Sequence, residues 1–100
     1  MTKVMCKIDE KKKSIYFDCM NHAGDRHVCG MCSVLCKTLI DASYRAEDNR
    51  SAKVSNENAS SGHVHFTVSN ADDILIGVFT SVMEVFKEVS EEFPDNCKIY

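Results

Sequence analysis

Residues 4–19 read VMCKIDEKKKSIYFDC, and the periodicity of this stretch begins to decide the fold. Apolar side chains recur at every second position on both sides of the polar residues 9–13: Val4, Cys6 and Ile8, then Ile15, Phe17 and Cys19. A period of two is typical of strands with one buried face. Two such runs joined by a short polar connection predict an opening β-hairpin.

The spacing then changes to that of a helix. Apolar or small residues follow at three- and four-residue steps: Cys29, Cys32, Cys36, Leu39, Ile40 and Ser43. This pattern predicts a first helix over about residues 29–45. The polar stretch 46–58 allows at most one strand, around residues 52–56, and residues 58–62 have the composition of a turn. Val64, Phe66 and Val68 alternate with polar side chains and predict a further strand.

A second helix carries a broad apolar stripe: Leu75, Val78, Phe79, Val82, Met83, Phe86 and Val89. Asn70 or Asp72 can cap it, and Phe93-Pro94 ends it because the residue before proline is pushed out of the helical region. Residues 97–100 allow a short last strand. The order β-β-α-β-β-α, with this optional strand, predicts a single domain over residues 1–100. We expect an α/β (α+β) two-layer sandwich with a mainly antiparallel sheet and two helices.

Composition narrows the class of protein. The 100 residues are 44% hydrophobic and 27% charged, as in globular proteins, and no apolar run approaches the roughly 20 residues of a membrane span. The N-terminus lacks the pattern of a secretory signal, so we expect a cytoplasmic protein with reduced cysteines and no membrane partner. The net charge is −3, and the one basic run, residues 11–13, favours a solvated turn over a nucleic-acid surface.

His22 and Cys29 lie on either side of a short turn that contains Gly24, and Cys29 is expected in the first turn of the first helix. A helix N-terminus stabilises a thiolate, and a nearby imidazole can accept the thiol proton. Gly24 allows the chain to fold back because glycine adopts positive φ at little cost. Ser33 is one helical turn after Cys29, so its hydroxyl can bind a substrate or orient the pair. The pattern indicates a nucleophile with its base.

Other interpretations compete for the same residues. Buried cysteine is usually inert packing, and this is our expectation for Cys6, Cys19, Cys32, Cys36 and Cys97. Cys19-x-x-His22 with Cys29-x-x-Cys32 has the spacing of a structural zinc site. Cys29-x-x-Cys32 also has the spacing of a redox pair. His63 and His65 share one side of a strand, where a solvated face without a carboxylate or cysteine partner is expected.

The segment Asn21-His22-Ala23-Gly24, followed after a short loop by Val28-Cys29-Gly30-Met31-Cys32-Ser33-Val34-Leu35, resembles the signature of the ribosomal-processing cysteine proteases, the Prp family. In that family a Gly-His-Ala stretch and a Val-Cys-Ala-Ala-Val-Ser stretch supply the catalytic histidine, the nucleophile and a nearby serine. The opening strand pair and the ending of the second helix, residues 90–94, resemble the family as well.

The resemblance implies a cysteine endopeptidase, a hydrolase that removes a short N-terminal extension from a ribosomal protein or a phage virion protein. His22 would be the base, Cys29 the nucleophile and Ser33 a supporting hydroxyl, with Gly24, Asp25 and Arg26 in the loop that meets the substrate. The resemblance also implies a homodimer, no cofactor and no catalytic metal. A structural zinc-binding module and an inactive interaction module are the alternatives.

This chain departs from the family pattern around the proposed pair. Six residues separate His22 from Cys29, where the family has a longer glycine-rich loop. Arg26 stands in register with a family aspartate, with Asp25 beside it, and Asn21 stands where glycine is usual. Gly30, Met31 and Cys32 replace a run of small apolar residues.

Overall fold

Five strands form one sheet, and two helices cover one of its faces. The computed structural model describes residues 1–100. The elements are β1 (Thr2–Asp9), β2 (Ser14–Met20), α1 (Arg26–Asn49), β3 (Lys53–Ser60), β4 (His63–Ser69), α2 (Asp73–Glu92) and β5 (Cys97–Ile99). The strand order in the sheet is β3-β4-β2-β1-β5, and only the β1–β5 pair is parallel. The predicted fold class and element order, including the optional last strand, are confirmed.

The opening hairpin has the predicted register. Val4 lies opposite Cys19, and Ile8 lies opposite Ile15, so the alternating apolar side chains share the face that the helices cover. In the connection, the Asp9 carboxylate accepts hydrogen bonds from the amides of Lys11 and Lys12, at 3.1 and 3.0 Å. The basic run is therefore part of an exposed turn that is closed by an aspartate.

Four aromatic rings lie at the centre of the core: Phe17, Phe66, Phe79 and Phe86. The ring centroid of Phe17 is 5.6 to 6.4 Å from the other three. In α2 the predicted stripe faces this core, with Val78 and Met83 half-buried at its margins, and Ile76 is buried in addition. Burial of a phenylalanine side chain contributes about 2 to 3 kcal/mol, so these rings hold the two layers together.

Helix α1 is longer at both ends than predicted. It begins at Arg26 because the Asp25 side chain caps it, and it continues to Asn49 because Ala46 is fully buried and extends the apolar face. The helix predicted over residues 29–45 was therefore too short. Helix α2 is capped by Asp72, one of the two predicted residues, whose carboxylate accepts from the amide of Leu75 at 2.9 Å.

Strand β3 differs most from expectation. It runs to Ser60, so residues 58–60 belong to a strand and the turn contains only Ser61 and Gly62. The register shifts between Ser55 and Asn58, where Asn56 has φ of 55°. Pairing with β4 supplies the hydrogen bonds that this polar sequence does not predict, because strand propensity depends strongly on tertiary context. Neither helix is long and apolar enough to cross a membrane.

Candidate active site

A groove of about 510 Å³ lies between the first half of α1, the loop after β2 and the β3–β4 hairpin. His22, Cys29 and Ser33 all line it, although they come from different parts of the chain. Gly24, Asp25 and Arg26 do not line this groove, and they form the exposed turn that leads into α1. The structure therefore brings three of the predicted site residues together.

Cys29 is half-buried and is the fourth residue of α1 rather than its first. Its amide donates to the Asp25 carbonyl at 2.9 Å. The Asp25 carboxylate accepts from the amides of His27 at 2.9 Å and Val28 at 3.1 Å. The amides of His27, Val28 and Cys29 are therefore occupied by Asp25 and are not free to bind an oxyanion. The amides of Gly24, Asp25 and Arg26 have no acceptor within the protein.

His22 is exposed and lies in a loop with two left-handed residues. Asn21 has φ of 72° and Gly24 has φ of 80°, so Gly24 adopts the positive φ that the sequence predicted. Asparagine tolerates this conformation better than most residues, so Asn21 can adopt it although it is not glycine. The His22 ring packs against the β3–β4 turn, and a methyl group added at Gly62 would lie 3.0 Å from its Nε2 atom. No hydrogen bond joins this imidazole to the Cys29 thiol.

Three distant segments hold the backbone around His22. The Thr2 hydroxyl donates to the Asn21 carbonyl at 3.0 Å, and the Asn96 side-chain amide donates to the Ala23 carbonyl at 2.9 Å. The Asn21 amide donates to the Gly62 carbonyl at 2.7 Å. The sequence gives no signal for these contacts, since Thr2 and Asn96 are 19 and 73 residues away from their partners.

Ser33 is exposed, and its hydroxyl donates to the Cys29 carbonyl at 2.8 Å. Beyond Ser33 the groove continues along α1 to Ile40 and Asp41, and β3 contributes Glu57 on the opposite side. The Glu57 carboxylate accepts a hydrogen bond from the Tyr44 hydroxyl. These residues extend the groove well past the three predicted ones, and the sequence pattern did not single them out.

The remaining cysteines behave as predicted for packing residues. Cys19, Cys32, Cys36 and Cys97 are buried, and Cys6 is half-buried. Burial raises the pKa of Cys32 to about 12 and that of Cys6 to about 11. A hydrogen bond with Cys36, together with burial, raises the pKa of Cys19 as well. The raised pKa values keep the thiols of Cys6, Cys19 and Cys32 protonated at neutral pH, which makes them poor nucleophiles.

No group of three or more histidine, cysteine, aspartate or glutamate side chains is arranged to hold a metal ion. The set Cys19, His22, Cys29 and Cys32 therefore does not form a ligand cluster in this structure. Cys19 is buried in the core, and its thiol interacts with Cys36, a residue outside that set.

The expectation that His63 and His65 lack a carboxylate partner was wrong. The Nε2 atom of His63 lies 2.8 Å from Oδ1 of Asp18, and the two imidazole rings are 4.9 Å apart. Pairing of β2 with β4 places Asp18 opposite His65, although 45 residues separate Asp18 from His63 in sequence. These side chains lie on the sheet face that points away from the core.

The architecture defines the class: a two-layer α+β domain with a mixed five-stranded sheet and a groove that holds a histidine, a cysteine and a serine. Solved structures share this fold over nearly the whole chain. The S. aureus ribosomal processing protease Prp, in complex with a covalently linked product peptide, has a TM-score of 0.75 at 18% identity, covering 99% of this chain and 97% of that chain. The resemblance to the Prp family predicted from the sequence is confirmed as a likeness in fold.

Two further solved structures agree. The S. aureus protease in complex with a substrate peptide has a TM-score of 0.66 at 13% identity, covering 100% of this chain and 98% of that chain. SMU.848 from Streptococcus mutans has a TM-score of 0.67 at 12% identity, covering 99% of this chain and 91% of that chain. No family model and no curated protein matches the sequence.

Proposed function

We propose that this protein is a divergent cytoplasmic cysteine endopeptidase of the Prp type, which removes a short N-terminal extension from a ribosomal protein or a phage virion protein. The observation that carries the proposal is the presence of His22, Cys29 and Ser33 in one groove. The shared fold with a protease that has been solved with substrate and product peptides supports it.

In the proposed reaction, the His22 imidazole accepts the thiol proton of Cys29, and the sulfur attacks the carbonyl carbon of the scissile peptide bond. The tetrahedral intermediate collapses, the C–N bond breaks, and the imidazolium gives its proton to the leaving amine. Water then attacks the thioester while His22 takes its proton, and the Cys29 thiol is released. The His22–Cys29 hydrogen bond forms when substrate orders the loop, because catalytic hydrogen bonds in free enzymes often tighten only in the complex.

Two other features of the site take part in this proposal. The amides of Gly24, Asp25 and Arg26 have no acceptor within the protein. They do not line the groove in the free protein, so in this proposal they bind the oxyanion only after the substrate has ordered the loop toward Cys29. The Ser33 hydroxyl donates to the Cys29 carbonyl, and its oxygen is available to accept a hydrogen bond from a substrate amide.

The shape of the groove favours an extended peptide as substrate. From Cys29 to Asp41, α1 rises about 18 Å, at 1.5 Å per residue. A chain in extended conformation covers that distance with about five residues, at about 3.3 Å each. We therefore propose that the enzyme binds a short, unfolded segment of its protein substrate.

The decisive experiment uses coexpression with candidate ribosomal and virion proteins, followed by mass spectrometry of their N-termini. The wild type is expected to shorten one candidate, and Cys29→Ala and His22→Ala are expected to leave it intact. Cys6→Ala is the matched control, because it removes a half-buried thiol outside the groove, and it should retain activity. Cleavage that persists in Cys29→Ala would overturn the proposal.

An inactive peptide-binding module is the second candidate function, and the Asp25 cap favours it because the cap occupies the helix amides. Calorimetry with candidate peptides separates the two: binding without any cleavage by the wild type supports the module. A homodimer is also part of the proposal, and light scattering that finds a monomer at micromolar concentration would contradict it.

A further inference from the structure

The backbone on both sides of His22 is held by side chains from the two ends of the chain. The carbonyl before His22, that of Asn21, accepts from the Thr2 hydroxyl, and the carbonyl after it, that of Ala23, accepts from the Asn96 amide. The side chains of Thr2 and Ala23 are almost fully buried, at 2% and 1% exposed. This arrangement fixes the orientation of the peptide units that carry the His22 side chain.

The two donors are themselves connected. The Thr2 amide donates to the Asn96 carbonyl at 2.9 Å, and the Asn96 amide donates to the Phe93 carbonyl at 3.0 Å in the turn after α2. Next to them, Thr2 pairs with Cys97 where β1 and β5 run in parallel. Asn96 is therefore held by its own backbone hydrogen bonds while its side chain reaches the loop, as a positioning group requires.

We infer that Asn96 is a positioning residue that aims the His22 imidazole into the groove, with Thr2 as its partner on the other side of the loop. This inference rests on the proposed function, in which His22 is the base. A displacement of about 1 Å in a catalytic group can reduce the rate about 100-fold, so a residue that fixes this loop affects the turnover rate more than substrate binding.

The substitution Asn96→Asp tests the role of the donated hydrogen bond. The two side chains have the same shape, but an ionised carboxylate cannot donate to the Ala23 carbonyl. Repulsion between the introduced carboxylate and the Ala23 carbonyl oxygen disfavours the charged form. It raises the pKa of the new carboxyl above its ordinary value of about 3.9. As the pH falls, protonation restores a donor. The defect is therefore expected to be largest near pH 8 and to shrink toward pH 5.

The experiment measures kcat and KM for wild type and Asn96→Asp between pH 5 and pH 8. At pH 8 kcat should fall about 30-fold to 100-fold with KM within about twofold of wild type, and the ratio of variant to wild-type kcat should rise as the pH falls. Asn49→Asp is the control, because it makes the same change of charge at an exposed position near the end of α1. The ratio of its kcat to that of wild type should not vary with pH. A loss confined to KM, or a kcat ratio that does not depend on pH, would overturn the inference.

A second measurement does not depend on cleavage. The Asn21 amide, hydrogen-bonded to the Gly62 carbonyl, reports on the loop through its hydrogen exchange. In Asn96→Ala and in Thr2→Val, exchange at Asn21 should be at least about tenfold faster than in wild type, and unchanged exchange in both would refute the positioning role. If the wild type cleaves no substrate but exchange rises as expected, the proposed function fails while the anchoring of the loop stands.

Discussion

Gly62 is the position where a single methyl group is expected to disturb the proposed base directly. Its φ is 80°, in the left-handed region, and an added Cβ would lie 3.0 Å from Nε2 of His22. For a residue with a side chain, the left-handed conformation costs about 1 to 2 kcal/mol. The ring of His22 is exposed and can rotate away, so the contact should add little to the loss of stability. It should instead turn the imidazole out of its present orientation.

Two other glycines provide matched controls for Gly62→Ala. Gly24 also has φ of 80°, but an added Cβ there has its nearest contact at 3.9 Å, so Gly24→Ala carries the backbone strain without the contact to His22. Gly30 lies within α1 with nothing within 4 Å of an added Cβ, so Gly30→Ala should stabilise the protein by about 0.5 to 1 kcal/mol.

The assay is urea unfolding, combined with the NMR signals of the His22 ring. Gly62→Ala and Gly24→Ala should each lower the free energy of unfolding by about 1 to 2 kcal/mol, or roughly 4 to 16 °C in melting temperature for a domain of this size. The shift of the His22 ring signals should be larger in Gly62→Ala than in Gly24→Ala. Wild-type stability in Gly62→Ala, or identical ring signals in Gly62→Ala and wild type, would refute the reasoning.

Three more predictions concern stability and thiol chemistry. Phe66→Ala should lower the free energy of unfolding by about 3 to 5 kcal/mol in the same urea assay, because Phe66 is 1% exposed and packs on Phe17 and Phe79. A loss below about 1 kcal/mol would contradict this packing. The hydrogen bond from the Leu75 amide, together with Arg50, lowers the pKa of Asp72 below its ordinary value of 3.8. The ionised Asp72 carboxylate should therefore stabilise the fold above pH 3.8, and this stabilisation should be lost as the pH falls below that value. In Asp72→Asn the side chain can still cap α2 but cannot ionise. The urea midpoint of this variant should therefore depend less on pH between 2 and 5 than that of wild type, and an equal pH dependence would contradict the stabilising role of the Asp72 carboxylate. In native protein at pH 8, mass spectrometry should find iodoacetamide on Cys29 well before Cys32 or Cys6, whose pKa values are about 12 and 11; equal labelling would show that these thiols are open to solvent.

Some of the local differences between the prediction and the structure could have been predicted from the sequence. Asp25 is a favoured N-cap residue, and it marks the start of α1 three residues before the predicted position. The apolar residues from Val28 onward dominated the prediction because their spacing is regular. The true start matters for function, since it makes Cys29 the fourth helical residue and leaves the amides of its turn bonded to Asp25.

Strand β3 illustrates a difference that local patterns cannot resolve. Residues 53–60 are almost entirely polar, and Asn56 has a left-handed φ, so neither alternation nor strand propensity predicts eight residues of strand. The strand exists because β4 offers a paired edge. Its extension to Ser60 places the Ser61–Gly62 turn against His22, and this contact completes one wall of the groove.

The sequence by itself determined the order of the elements, the buried faces of the strands and of α2, and the candidate residues His22, Cys29 and Ser33, because periodicity and motif spacing are local properties. Only the tertiary structure decided how the loop of His22 is held and where the groove continues. It also paired His63 with Asp18. These contacts join residues between 19 and 73 positions apart, and such pairs are set by how strands and helices pack, which no local pattern records.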